Sequence, residues 1–77
     1  MRLAKLSPHC KRLLLRLAES NHPVSSEELA TAMLGRPAER KEHSLAYNYV
    51  KFVRELLPGL VIRNYPGHGY ELERTWL

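Results

Sequence analysis

Apolar side chains recur at helical spacing in three segments of the chain, and Pro, Gly or Ser residues separate these segments. The clearest pattern lies in residues 44–57, SLAYNYVKFVRELL, which Pro58 and Gly59 end. Its apolar positions predict a core-facing stripe of Ala46, Tyr49, Val50, Val53, Leu56 and Leu57. The opposite face is assigned Tyr47, Asn48, Lys51 and Arg54, with no acid among them. The pattern predicts an amphipathic third helix with a polar outer face.

The first helix is predicted to begin at Ser7 and Pro8. Serine suits the N-cap, and proline suits the first helical position because its missing N–H costs nothing there. We expect this helix to end near Ala18 or Glu19. Its predicted buried positions are Cys10, Leu13, Leu14, Leu17 and Ala18.

The second helix is predicted from a capping box, Ser25-x-x-Glu28, in which each residue satisfies a backbone N–H of the other. Gly35 ends this helix, because glycine favours the left-handed conformation after a helix. Its predicted core positions are Leu29, Ala30, Met33 and Leu34, with Val24 packing on Leu29. A polar loop, residues 36–43, then leads to Ser44 as the expected N-cap of the third helix.

A β-hairpin is predicted after the helices. Residues 60–63 form a β-branched run and residues 70–73 alternate apolar and polar, so both segments predict strands. In the turn cluster between them Pro66 fixes the bend, and Gly67 and Gly69 supply positive φ. Tyr70 is expected to pack into the core.

The predicted fold class is mainly α with a small β-hairpin, in a single domain spanning residues 1–77. Residues 1–6 are predicted to be an N-terminal arm or a short strand. The three helices occupy residues 7–57 and the hairpin residues 60–73. The tail, residues 74–77, is expected to cover the core with Trp76 and Leu77.

The charge of the chain points to a polyanionic partner. The sequence has 12 Lys and Arg residues against 8 acids, all of them Glu, for a net charge of +4 and a pI near 9.6. Basic residues dominate before Glu19 and again between Arg36 and Arg63. Nucleic acid is the commonest partner of such a domain, and an acidic protein surface is the next. Ordinary solubility charge is the alternative interpretation.

Other chemistries find little support in the sequence. The single cysteine, Cys10, suits a reducing compartment, and the sequence has no long apolar run or signal-like start, so we expect a cytoplasmic protein without a membrane partner. The scattered His9, His22, His43 and His68 lack the spacing of metal ligands, so no metal or cofactor is expected. A chain of this size is also too small for a deep catalytic cleft, so we do not expect an enzyme.

Four segments, in order, resemble the winged helix-turn-helix DNA-binding domain of the OmpR-type response regulators. They are LSPHCKRLLLRLAE, PVSSEELA, VKFVRELL and VIRNYPGHGYEL. The most specific part is the wing signature, Gly67-x-Gly69-Tyr70, and the resemblance extends from Leu6 to Leu72. It implies a winged helix with three helices and a C-terminal wing, acting here without a receiver domain.

The resemblance implies a sequence-specific regulator of transcription that binds double-stranded DNA. The third helix would lie in the major groove, and the wing would contact the adjacent backbone or minor groove. Asn48 is predicted to pair with adenine, and Lys51 or Arg54 with guanine or phosphate. The implied DNA-binding set is Ser44, Tyr47, Asn48, Lys51, Arg54, Arg63, Asn64, Tyr65 and His68, with Pro66, Gly67 and Gly69 shaping the wing turn.

The implied partners extend beyond DNA. One small winged helix reads only a short half-site, so we expect a homodimer or tandem binding on DNA. Residues 36–43 stand where the family has the loop that contacts RNA polymerase. The wing departs from the family at Pro66, where arginine is common. The alternative function is a winged-helix module that binds RNA polymerase or another regulator, which Glu55 and Pro66 favour and which the fold alone does not exclude.

Overall fold

A computed structural model describes residues 7–73 of the chain. The helices are α1 (Pro8–Ala18), α2 (Ser26–Leu34) and α3 (Ser44–Leu56), with a short 3-10 helix, Arg40–Glu42, before α3. Two strands follow, β1 (Ile62–Tyr65) and β2 (Gly69–Leu72), which pair antiparallel. The predicted class, mainly α with a small β-hairpin, is confirmed. The predicted N-terminal arm and the tail at 74–77 lie outside the described residues.

The first two helices begin and end where the sequence predicts. The hydroxyl of Ser7 accepts from the N–H of Cys10, and Pro8 opens α1. The hydroxyl of Ser25 accepts from the N–H of Glu28, and Gly35 closes α2 with a φ of 74°. The capping box is half formed, because the Glu28 carboxylate accepts from the Ser25 hydroxyl instead of from its backbone N–H.

Two arginines of α1 fasten it to α2. Arg12 donates to the carbonyl of Met33 at 3.0 Å, and Arg16 pairs with Glu28 at 3.0 Å. The Glu28 carboxylate offsets the positive charge of Arg16, although this exposed pair adds little stability.

The start of α3 differs from the prediction. His43 occupies the N-cap position and Ser44 is the first helical residue, with its hydroxyl donating to the carbonyl of Lys41 at 3.4 Å. The 3-10 helix causes this shift, because it delivers the chain into α3 already helical at His43. The loop predicted over residues 36–43 therefore contains a turn of helix.

The core lies between the three helices and the inner face of the hairpin. Its buried members are Cys10, Leu13, Leu17, Val24, Leu29, Met33, Ala46, Val50, Val53, Ile62, Tyr70 and Leu72. Tyr70 is buried, as predicted. Other predicted core residues are less buried than expected: Ala18 is exposed, Leu56 is 45% exposed, and Leu14, Leu34, Tyr49 and Leu57 are only half-buried. Leu56 stays exposed because α3 ends at this residue, and Leu57 and Leu60 pack against the core in its place.

The hairpin is shifted by about two residues from its predicted start, since β1 begins at Ile62 and extends to Tyr65. The N–H of His68 donates to the carbonyl of Tyr65 at 2.8 Å, and Gly67 has a φ of 82°. With Pro66 in the second position, this is the arrangement of a type II turn. Both glycines predicted to take positive φ do so, with Gly69 at 120°.

Val24 adds a third segment to the hairpin. Its N–H donates to the carbonyl of Tyr70 at 2.7 Å, and the N–H of Tyr70 donates back at 2.9 Å. The β-branched Val24 therefore pairs with the edge of β2 just before α2 begins. The sequence predicted only that Val24 packs on Leu29. The observed pairing with Tyr70 joins the hairpin to the helices.

The 3-10 helix is held by Glu42, and this gives a pH prediction. Arg36 pairs with the Glu42 carboxylate at 2.6 Å, and the N–H of Glu39 donates to it at 2.8 Å. These contacts lower the pKa of Glu42 from 4.5 to about 2. Because the pKa is lower in the folded protein, the stabilisation is present above pH 4.5 and is lost as the pH falls towards 2.

A carboxyl-detected NMR titration checks this expectation. Glu42 should titrate with a midpoint near pH 2 in the native chain, and Arg36→Gln should move that midpoint upward towards the ordinary value of 4.5. Lys11→Gln removes an exposed cation from α1 and should leave the Glu42 midpoint in place. A midpoint in the ordinary range in the native chain would show that the Arg36–Glu42 pair does not form in solution.

Candidate nucleic-acid interface

Four side chains follow one line along the exposed side of α3. Ser44, Asn48, Lys51 and Glu55 recur at intervals of four and three residues, so they share a side of the helix. All four are exposed. Among residues 7–73, no hydrogen bond or ion pair engages the side chains of Asn48 and Lys51. Their amide and ammonium groups are therefore available to a ligand.

Glu55 corrects the predicted composition of this face. The sequence interpretation assigned no acid to it, but the helical spacing places Glu55 four residues after Lys51 and seven after Asn48. Its carboxylate has no ion-pair partner among the described residues. An acid in this position lowers the attraction of the face for phosphate, and it is able to accept a hydrogen bond from a cytosine amino group.

A second edge of α3 borders the hairpin. Tyr47 is 57% exposed, and Arg54, two turns further along, donates through Nη2 to the carbonyl oxygen of Ile62 in β1. Burial raises the pKa of the Tyr70 phenol; the positive charge of Arg54 opposes this shift and the nearby Tyr47 adds to it. The two α3 residues therefore lie beside the hairpin. Arg54, which was predicted to contact DNA, is already engaged within the protein.

The hairpin presents the other predicted contacts. Arg63, Asn64, Tyr65 and His68 are all exposed. Arg63 pairs with Glu73 at 3.1 Å, and this carboxylate raises the pKa of the Arg63 guanidinium. The guanidinium therefore keeps its charge, but a phosphate would have to compete with Glu73 for it. Asn64 and His68 make no such pair among residues 7–73.

The tip of the hairpin lies against the start of α2. Asn64, Tyr65, Gly67 and His68 share a shallow notch with Ser25 and Ser26. The sequence did not associate these serines with the hairpin. The signal available was Val24, a β-branched residue directly before the N-cap, because its pairing with Tyr70 brings the two segments together.

The third edge of α3 is apolar. Phe52 and Leu56 are each 45% exposed, and Tyr49 stacks on His9 of α1 with ring centroids 5.5 Å apart. Tyr49 was predicted to be part of the core and is instead half-buried at its border. Exposed apolar side chains of this size are typical of surfaces that bind another protein when they form a larger patch.

The described part of the chain contains neither a cluster of metal ligands nor a helix that could span a membrane. Residues 7–73 hold no group of three or more His, Cys, Asp or Glu side chains that would hold a metal ion. No helix in this range has the length and apolar content needed to cross a bilayer.

Comparison with models of known families, with curated proteins and with solved structures finds no match.

Proposed function

We propose that this chain is a winged helix-turn-helix domain that binds double-stranded DNA, with α3 in the major groove and the hairpin as its wing. The observation that carries the proposal is the exposed line on α3, where the side chains of Asn48 and Lys51 have no partner among residues 7–73. An amide and an ammonium at successive helical turns are the groups that read base edges and hold phosphates. The resemblance to OmpR-type domains and the net charge of +4 support the same function.

Each element has a separate task in this proposal. Asn48 pairs with adenine, and Lys51 contacts guanine or a phosphate. Tyr47 lies at the border between α3 and the wing, where its ring is able to contact a thymine methyl group. Asn64 and His68 approach the backbone or the minor groove from the wing. The output is regulation of transcription, with two copies bound as a dimer or in tandem to read a full site.

A protein-binding winged helix is the second candidate. Specific observations favour it: Glu55 on the exposed line, and the exposed Phe52 and Leu56 beside it. In this case α3 would bind RNA polymerase or another regulator through its apolar edge. This surface and the polar line are neighbouring edges of α3 that meet where Phe52 borders Asn48. Leu56 lies further from Asn48, so substitutions at Leu56 and Asn48 distinguish the two functions.

Duplex DNA binding with strong salt dependence is the expected result that tests the proposal. If each copy neutralises about 4–6 phosphates, log K falls against log salt with a slope of about −4 to −5. Fluorescence anisotropy with a random duplex of about 20 base pairs, over several salt concentrations, measures this slope. Selection of bound sequences from a random pool then identifies the operator.

The Leu56→Ser variant is the matched control for this titration. It removes an exposed apolar group from α3 without changing charge, so DNA binding should persist with the same slope. Absence of binding at low salt in the native chain would reject the DNA-binding function. Loss of binding to a captured polymerase in Leu56→Ser alone would then favour the second candidate.

A further inference from the structure

One edge of β1 carries backbone hydrogen-bonding groups that do not pair with β2. The N–H of Glu73 donates to the carbonyl of Val61 at 2.8 Å, and hydrogen-bonded pairs alternate along an antiparallel ladder. In the observed register, Ile62 and Asn64 therefore direct their backbone N–H and C=O groups away from β2. β2 pairs with Val24 on its other side, so β1 is the outer strand of the hairpin.

Arg54 satisfies one of these outward groups. Its Nη2 donates to the carbonyl oxygen of Ile62, eight residues further along the chain. Ile62 is buried in the core while the rest of β1 is exposed, so the hydrogen bond forms where β1 leaves the helices. Arg54 belongs to the last turn of α3, and the link therefore joins the end of the helix to the base of the hairpin.

Such a link restricts one particular motion. The hairpin is fixed to the body of the protein on its β2 side by the two hydrogen bonds between Val24 and Tyr70. On its β1 side, the described backbone provides no comparable pairing. Arg54 thus holds the side of the hairpin that faces α3, and it sets the angle between the two elements that are proposed to meet DNA.

Resting on the proposed DNA-binding function, we propose that Arg54 is a positioning residue that holds the hairpin at a fixed angle to α3 and does not itself contact DNA. This reverses the role expected from the sequence, in which Arg54 was a base or phosphate contact. Lys51 then remains the cation of α3 that meets DNA, and the wing contacts depend on Arg54 through geometry.

Chemical synthesis of the 77-residue chain allows a sharp test. Arg54→citrulline replaces the guanidinium with a neutral group of nearly the same shape that still carries N–H donors. It keeps the hydrogen bond to Ile62 but loses the charge that a phosphate contact requires. Arg54→Met keeps the aliphatic stem and loses both, and the two variants thereby separate positioning from charge.

The first readout is amide hydrogen exchange in the free protein. Arg54→Met should increase exchange at the hairpin N–H groups of His68 and Glu73 about five- to tenfold, because a hydrogen bond from a charged donor is lost. Arg54→citrulline should keep their exchange rates within about threefold of the native chain, since a neutral hydrogen bond is weaker than a charge-assisted one. Unchanged exchange in Arg54→Met would overturn the proposed link.

The second readout is DNA affinity. Arg54→Met should weaken binding about five- to tenfold, whereas Arg54→citrulline should stay within about threefold and keep the salt slope. If the citrulline chain instead loses about one unit of slope with normal hairpin exchange, Arg54 is a phosphate contact and the proposal is wrong. If the native chain binds no duplex DNA, the proposed function fails, and the positioning role in DNA binding fails with it.

A double-mutant cycle separates positioning from simple stabilisation. His68→Ala should weaken DNA binding in the native background and have little further effect once Arg54→Met has released the hairpin. A purely stabilising Arg54 would leave the two effects additive in folded protein. Additive effects, or no effect of His68→Ala in the native background, would overturn the positioning role.

Discussion

Replacing Gly69 with alanine lowers the free energy of unfolding by about 3–4 kcal/mol, because backbone strain and a steric clash act together. Gly69 has a φ of 120°, a conformation that side chains with a Cβ rarely adopt. A Cβ there would lie 2.1 Å from the carbonyl oxygen of Val24 and 2.8 Å from the Cα of Ser25. Both are backbone atoms, so no side chain is able to rotate away.

Gly69→Ala would also disturb the packing of the core. Val24 is fully buried, and its N–H and C=O both bond to Tyr70, the residue after Gly69. Moving β2 away from Val24 therefore breaks two hydrogen bonds and exposes the inner side chains Ile62, Tyr70 and Leu72. A domain of this size has only a few kcal/mol of net stability, so Gly69→Ala should be substantially unfolded near body temperature.

Gly67→Ala is the matched control. Gly67 also has a positive φ, 82°, but no atom lies within 4 Å of the position that a Cβ would occupy. Only the conformational cost applies, and it amounts to about 1–2 kcal/mol. Urea unfolding of both variants, followed by circular dichroism, measures the difference. Equal losses in the two variants would contradict the close approach between Gly69 and Val24.

This pair of glycines shows which parts of the fold the sequence predicts. Turn chemistry is local, so the cluster around Pro66 was enough to predict positive φ at both glycines. The contact between Gly69 and Val24 joins residues far apart in sequence, and no local pattern encodes it. The helix boundaries at Ser7, Ser25 and Gly35 were predictable for the same reason, since caps act within one turn.

The candidate site was harder to predict than the fold. Helical spacing placed Asn48 and Lys51 on the exposed side of α3, and the structure agrees. The same spacing also places Glu55 there, which the sequence interpretation omitted. Whether a surface cation is available depends on its neighbours in three dimensions, as Arg54 with Ile62 and Arg63 with Glu73 show. Composition therefore overstated the charge that this surface offers to a polyanion.

The second large effect is expected on α3, where Asn48 and Lys51 have different tasks. Asn48→Ala should reduce discrimination at one base pair by about 1–3 kcal/mol and leave the salt slope nearly unchanged, because a neutral amide releases no counterion. Lys51→Ala should weaken binding to all sequences and lower the salt slope by about one if the ammonium holds a phosphate. Neither side chain has a partner among residues 7–73, so both variants should melt as the native protein does.

Glu55→Gln supplies a control of opposite sign on the same line of α3. It removes a negative charge at nearly constant shape, so it should strengthen binding to every duplex by a few-fold, in keeping with about 1 kcal/mol for unit charges 4 Å apart in water. Lys11→Ala repeats the charge change of Lys51→Ala on α1 instead of α3 and measures the general electrostatic effect. Anisotropy titrations on the selected operator and on single-base variants provide all four comparisons.

The three α3 substitutions together discriminate between the proposed functions. A reading helix requires a base-specific loss for Asn48→Ala, a sequence-independent loss for Lys51→Ala and a gain for Glu55→Gln. A protein-binding helix requires none of these effects on DNA, and its affinity for a partner would respond to Phe52 and Leu56 instead. If Asn48→Ala and Lys51→Ala both leave DNA binding intact in folded protein, α3 does not read DNA, and the protein-binding function becomes the better explanation of its exposed apolar edge.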